Sequence, residues 1–410
     1  MRRALTTLLL ACPALAQVTH EVPADFATIQ AALDAAVGGD TVLVDPGVYP
    51  ENLNFHGKTL TLRSRYGPTH TIVDGQDIDR VIDVRGGLGR NTRIEGFTLV
   101  RGDSHLGGGI DATDSSPTIL GCVFHENWAI DGGGIFSHRS PYIANCLFTR
   151  NNAGCYGSAI RISHAIPPPS MPAVIVHCTA MNNFSFDYFT GAAAISMGST
   201  NGDVVNCISR DNVNSGGIFT KDIWSRDFDR VRHCNFRTGL SYGGNNLDEA
   251  PGFVAPKNGD FHLRPGSACR DAGDPAFGYA VDFEGDERDA LPDMGCDEHA
   301  LHLYHLGKIK AGNTVKLRLI GATPGDACTI LTSSLLLDPP QLTGAGTLYL
   351  MNPRSTLISN LVVPASGRLQ VDWTIPPTFG IGEEGSCFPH AIYLQAFTSE
   401  LTNLEVAAFR

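Results

Sequence analysis

A chain of 410 residues with 42% hydrophobic side chains has room for two or three domains and a sizeable core. Its net charge of −12 argues against nucleic acid and anionic membranes as main partners, although a local basic row can outweigh the mean field. No stretch approaches the twenty or so apolar residues that a membrane span needs.

The chain opens with Met1-Arg2-Arg3, an apolar run from Ala4 to Ala11 and the small-residue step Ala14-Leu15-Ala16. Charged, greasy and small in that order, residues 1–16 have the form of a secretory signal, cleaved after Ala16, so the expected location is secreted or cell-surface. Residues 17–57 begin with a predicted helix, N-capped by Asp25 and stopped at Gly38-Gly39, with Phe26, Ile29, Leu33 and Ala36 on one face. The stretch Val22-Pro23-Ala24-Asp25-Phe26-Ala27-Thr28-Ile29-Gln30, then Gly39-Asp40-Thr41-Val42-Leu43-Val44 and Pro46-Gly47-Val48-Tyr49-Pro50-Glu51-Asn52, resembles the opening of pectin-lyase-like β-helix proteins. That resemblance implies an all-β chain folded as a right-handed parallel β-helix, with the helix plugging its open end. Pectin methylesterases begin in a similar way, which adds a carbohydrate esterase to the readings. Asp187-Tyr188-Phe189-Thr190-Gly191-Ala192-Ala193 is loosely similar to their catalytic strand, but the upstream segment that carries the second carboxylate has no counterpart.

Residues 58–300 are expected to form the solenoid with its closing segment. Ile94-Glu95-Gly96-Phe97-Thr98-Leu99 returns as Ile119-Leu120-Gly121-Cys122-Val123-Phe124 and Ile143-Ala144-Asn145-Cys146-Leu147-Phe148. The cysteines of this phrase, Cys122, Cys146, Cys178, Cys207 and Cys234, step by 24, 32, 29 and 27 residues. A second phrase alternates with it: Gly107-Gly108-Gly109-Ile110, then Gly132-Gly133-Gly134-Ile135, Gly157-Ser158-Ala159-Ile160, Ala192-Ala193-Ala194-Ile195 and Ser215-Gly216-Gly217-Ile218. A repeat of this length with period-two alternation marks stacked strands. The cysteines then form an inward ladder, one rung about 4.8 Å from the next. Asn127, Asn151, Asn183 and Asn212, five residues after each cysteine, are expected to take a left-handed turn and bond to the next coil.

Residues one and three after the repeat isoleucines should point outward. The first row reads Asp111, Phe136, Arg161, Ser196 and Phe219; the second reads Thr113, His138, Ser163, Gly198 and Lys221. Aromatic, cationic and hydroxyl groups on one parallel sheet suit an extended sugar chain, and the partner implied is a polysaccharide. Polysaccharide lyases of the resembled fold use an Arg or Lys as base, with calcium or another cation neutralising the uronate carboxylate. By that resemblance Arg161 and Lys221 are candidate bases, His138 a proton carrier, Asp111 a cation ligand, and Phe136 and Phe219 sugar-stacking residues. An ordinary mixed outward face, on a non-catalytic adhesion or surface scaffold, is the competing reading.

His177 and His233, with Asn145 and Asn206, read as an outward solvated row. The charged run from Lys221 to His233 reads as a protruding loop with internal ion pairs, and Pro167-Pro168-Pro169 as a stiff insertion. The segment from Pro251 to Glu298 is similar to the closing segment of secreted bacterial β-helix proteins. Cys269 and Cys296 stand where small residues are usual in that pattern, and two departures of one kind suggest a disulfide between them. The acidic run from Asp282 to Asp289 lacks the glycine of a calcium loop and reads as a structural turn. From 301 to 410, short strands such as Thr314 to Ile320 and Gly367 to Trp373, separated by Pro and Gly turns, read as a β-sandwich, with Cys328 and Cys387 as a second candidate disulfide.

Overall fold

The computed structural model describes residues 17–163, 171–186, 193–198, 202–216, 222–237, 243–264, 266–283, 288 and 290–298, and beyond these the backbone of strands between 302 and 408. The chain divides into two compact units, one ending at Asn246 and the other beginning at Leu247.

The first unit is a parallel β-solenoid of about eight turns. One coil shows how it is wound. Thr118–Leu120 lies in a nine-stranded sheet 1, Val123–His125 in an eight-stranded sheet 2, Trp128–Asp131 in a five-stranded sheet 4, and Ile135–Ser137 in a seven-stranded sheet 3. Each strand pairs in parallel with its counterparts one coil away, as in Ile94–Ile119–Ile143 and Leu99–Phe124–Phe148. Strands of three residues suffice because each pairs with a strand of a neighbouring coil.

The bore is filled as the repeat phrases predict. Ile94, Ile119, Ile143 and Ile175 face it from sheet 1, and Ile110, Ile135, Ile160 and Ile195 from sheet 3, all fully buried. Phe124 and Phe148 stack face to face, with centroids 4.6 Å apart. The five repeat cysteines are fully buried, and each thiol faces the carbonyl two residues before it, at 3.2 to 3.4 Å. Burial pushes the thiols of Cys122, Cys178 and Cys234 up, so they behave as small apolar residues. No disulfide joins any two cysteines among the described residues.

Two left-handed corners recur along the solenoid. The first follows sheet 1 and is occupied by Gly96, Gly121, Asn145, His177, Asn206 and His233. This corrects the expected solvated row: His177 and Asn206 are fully buried, and the Asn206 amide nitrogen meets His177 Nε2 at 3.0 Å. A left-handed residue turns the chain sharply and lays its side chain against the corner of the next coil. The second corner falls on Arg101, Glu126, Arg150, Asn182 and Asp211; the last four stand immediately before the ladder asparagines, which do not themselves turn left-handed. The asparagines point inward instead. Asn127 Nδ2 donates to Asn151 Oδ1, Asn151 Nδ2 to Asn183 Oδ1, and Asn183 Nδ2 to Asn212 Oδ1, each at 3.0 Å.

This ladder ends on a carboxylate. Asn212 Nδ2 donates to Asp222 Oδ1 at 3.0 Å, and the Arg237 N–H to Asp222 Oδ2 at 2.9 Å. Burial nevertheless pushes the Asp222 carboxyl up to about 6, against those two bonds and the nearby Arg210 and Arg237 charges. The native state then holds a proton that the unfolded chain has released, so stability is full below the ordinary value and is lost as pH rises through about 6. The span from 3.8 to about 6 is worth about 3 kcal/mol. Urea midpoints from pH 4.5 to 7.5 should therefore fall more steeply for the natural chain than for Asp222→Asn. Parallel curves for the two proteins would remove Asp222 from the account.

The helix spans Ile29–Ala35, shorter than expected, and Thr28 caps it by accepting the Ala31 N–H. Asp25 bonds the Glu21 N–H instead, while the Glu51 carboxylate accepts from Ile29 and Gln30, supplying the negative charge that a helix start favours. Ile29, Ala32 and Leu33 are buried.

Two further expectations change. Ile195 pairs with Ile223, not with Ile218, so the last rung of sheet 3 is Ile223–Ser225. The run after Lys221 is accordingly not a protruding loop; its described part is a coil, with Val231–Arg232 back in sheet 1. One internal ion pair is present, Arg230 with Asp227 at 3.2 Å, while Arg230 and Arg232 also reach out of the run to Asp203, each at 3.1 Å.

In the second unit, Phe253–Ala255 pairs antiparallel with Asp260–Leu263. Cys269 and Cys296 are buried and lie in adjacent segments, the Met294 N–H bonding the Cys269 carbonyl, but no disulfide joins them. Further on, His302–Leu306, Thr314–Ile320 and Leu369–Thr374 form one antiparallel sheet. Ser355–Val362, Ala327–Ser333, Ala391–Phe397 and Glu405–Ala408 form another. Residues 1–16, Cys387 and the side chain of Cys328 lie outside the described residues. Among the described residues no helix is long and apolar enough to cross a membrane.

Candidate functional site

The predicted outward row exists on sheet 3. Strand register stacks Asn54, Asp83, Asp111, Phe136, Arg161, Ser196 and Trp224 on successive rungs. Phe219 and Lys221 lie outside the described residues, and Trp224 holds the rung assigned to Phe219.

The row is more covered than an open groove. Asp111 is 1% exposed; Thr113 donates to its Oδ1 through both N–H and hydroxyl, and Arg80 holds its Oδ2, with Arg85 at 3.7 Å. Burial pushes the Asp111 carboxyl up in spite of those partners. At the rung below, burial opposes ionisation of Asp83 as well, but the Arg85 guanidinium and N–H together hold its carboxyl below the usual range. With both oxygens engaged inside the protein, Asp111 does not fit the role of cation ligand. The arginines come from the loop after sheet 2 and the end of the sheet 3 strand one coil earlier, a cross-coil contact that residue spacing alone could not reveal. Among the described residues no group of three or more His, Cys, Asp and Glu side chains is placed to hold a metal.

Phe136 is 3% exposed, with His138 set edge-on to its ring at a centroid distance of 4.9 Å. It is therefore a support for His138 and not a stacking platform. Arg161 is half-buried: its guanidinium lies 4.7 Å from the Tyr156 ring centre, and Nη1 donates to Ser196 Oγ at 2.6 Å. Burial lowers its pKa, against the opposing pull of the Asp131 carboxylate and the Tyr156 side chain. Asp131 also accepts the Tyr156 N–H at 3.0 Å, fixing the ring's segment to the coil before.

Arg161 and His138 thus come from adjacent coils, since Ser137 pairs with Ile162, and they share one end of the sheet. Tyr156, absent from the predicted set, belongs there because it immediately precedes the Gly157 turn that leads into the Arg161 strand. The signal for it was position alone. A comparison with known proteins matches the chain to no family model and to no curated sequence.

Proposed function

We propose that this is an exported carbohydrate-active β-helix protein that binds an acidic polysaccharide at the Arg161 end of sheet 3 and cleaves it by β-elimination. The observation that carries the reading is the Arg161 environment: a half-buried guanidinium, stacked on Tyr156 and hydrogen-bonded to Ser196, whose pKa is lowered by burial. Lowering moves an arginine toward the role of proton acceptor. In the reaction, Arg161 takes the proton on the carbon beside the uronate carboxylate, the freed pair forms the carbon–carbon double bond, and the glycosidic oxygen leaves with a proton from His138. In this reading the helix Ile29–Ala35 plugs the first coil, residues 1–16 export the chain and the C-terminal strands form a β-sandwich module.

Incubation with alginate, pectate and glycosaminoglycans is expected to raise the ultraviolet absorbance of an unsaturated uronate on at least one of them. Arg161→Ala should lower kcat/KM on that polymer by about 100-fold or more. A scaffold without catalysis is the second reading, favoured by the burial and internal pairing of Asp111, Phe136 and Ser196. No product on any of the three polymers and no retention on a glycan array would decide for the scaffold. The esterase expectation rests on residues 187–193, of which 187–192 lie outside the described residues.

A further inference from the structure

Sheet 4 gathers three aromatic side chains that reach solvent, Trp128, Phe184 and Phe186. Its ladder places Asp103, Trp128, Asn152, Phe184 and Val213 in one outward row. Ile130, Gly154 and Phe186 stand in a second row, because the Cys155 N–H bonds the Ile130 carbonyl and the Phe186 N–H bonds the Ala153 carbonyl. Between the rows, Ser104, Ala129, Ala153 and Ser185 point inward and are small and buried, which leaves this wall of the solenoid flat.

Trp128 and Phe184 are half-buried, Phe186 is 53% exposed, and the two phenylalanine rings meet edge to face at 4.8 Å. Two rungs separate Trp128 from Phe184, a span of about 9.6 Å. The rung between them is a polar step. Asn152 offers an amide there, and Gly154 packs close against Ile130, whose Cα would lie only 3.3 Å from an added Cβ, so no side chain rises from that position. Charged residues at the corner beside this face are engaged with one another or with the body of the solenoid: Arg101 with Asp74, Arg150 with Glu126, Arg237 with Asp211.

The geometry points to sheet 4 as a binding surface for a neutral glycan, a pyranose chain lying along the solenoid axis with one ring on Trp128, another on the Phe184–Phe186 pad, and hydroxyl groups at Asn152 between them. Aromatic rings present the apolar, flat surface that the C–H face of a pyranose covers, and an amide both donates to and accepts from hydroxyls. Corner cations already paired with carboxylates give a uronate polymer little to hold, so the class is neutral. A second copy of this chain would call for a continuous apolar centre, which the Asn152–Gly154 step interrupts. This surface is independent of Arg161, which lies on sheet 3.

The full chain should be run in affinity gels containing mixed-linkage glucan, xylan or galactomannan, with pectate as the acidic control, and its affinity for soluble hexasaccharides of the retained polymer measured by titration calorimetry. At least one neutral polymer should retard it. Phe186→Ala and Trp128→Ala should each weaken binding about fivefold or more, and Trp128→Phe should keep most of it. Phe186 is exposed enough that its variant should melt with the natural chain, which separates lost binding from lost folding. Absence of retardation by every neutral polymer would overturn the proposal. So would full binding by Phe186→Ala, or sedimentation showing that Phe186→Ala instead abolishes a dimer of the natural chain.

Discussion

Asn151→Ala is expected to cost about 4 kcal/mol of unfolding free energy, far more than an ordinary polar truncation. Asn151 Nδ2 donates to the Phe124 carbonyl at 2.9 Å and to Asn183 Oδ1 at 3.0 Å, while Oδ1 accepts from the backbone and side chain of Asn127 at 3.1 and 3.0 Å. All of this is sealed from water, since Asn127, Asn151 and Asn183 are fully buried. Alanine removes four bonds at once, leaving the Asn127 N–H without a partner and the Phe124 carbonyl with one bond fewer in the dry interior. The comparison is Asn182→Ala, one residue before the next ladder asparagine and exposed at a left-handed corner. It should cost about 1 kcal/mol, the strain of placing alanine at positive φ. Urea unfolding of both variants measures the difference. Equal losses would mean that the ladder is not what holds adjacent coils together.

The second large effect belongs to the glycines opposite the stacked rings. An added Cβ at Gly134 would lie 2.5 Å from the Ala159 carbonyl oxygen and 2.8 Å from the edge of the Phe148 ring; at Gly109 the distances are 2.6 Å to the Gly134 carbonyl and 2.7 Å to Phe124. One rung further on, the chain carries Ala159, and Ala180 stands in register with Phe148. There the backbone gives way: the Ala159 and Ile160 N–H groups both bond the Ala194 carbonyl at 3.0 Å, whereas in the coil before they bond two different carbonyls. Glycine with phenylalanine and alanine with alanine are thus two ways of filling one cross-section. Gly134→Ala should destabilise by about 3 kcal/mol through overpacking, and Phe148→Ala by about 4 kcal/mol through a cavity. Their combination should fall short of the sum by about 1 kcal/mol or more, because the new methyl enters space that the ring has left. Strict additivity would show that the clash is with backbone alone.

Much of this was legible beforehand. Alternating apolar residues around Cys122, Cys146 and Cys178, with isoleucines after each glycine run, specify which side chains enter the bore, because a strand has only two faces and water rejects one set. The asparagine ladder was legible in spacing but not in conformation, since Glu126 and Asn127 are adjacent and only the backbone reveals which of them turns left-handed. Ile218 completes the Gly-Gly-Ile phrase, and by that phrase it takes the rung after Ile195. The hydrogen bond from the Ile195 N–H to the Asp222 carbonyl chose otherwise.

The candidate site divides in the same way. Residue order alone established that Asp111, Phe136, Arg161 and Ser196 share the outward row of one sheet, for the period of a strand leaves no other choice. Whether an outward residue meets solvent or a neighbour depends on chains of other coils that sequence distance conceals. Arg80 and Arg85 reach forward to neutralise Asp111, His138 lies against Phe136, and Tyr156 turns under Arg161. Only the tertiary structure could therefore separate the covered Asp111, Phe136 and Ser196 of sheet 3 from Trp128, Phe184 and Phe186 of sheet 4, because alternation sets direction while exposure is set by what the winding of the coils brings alongside.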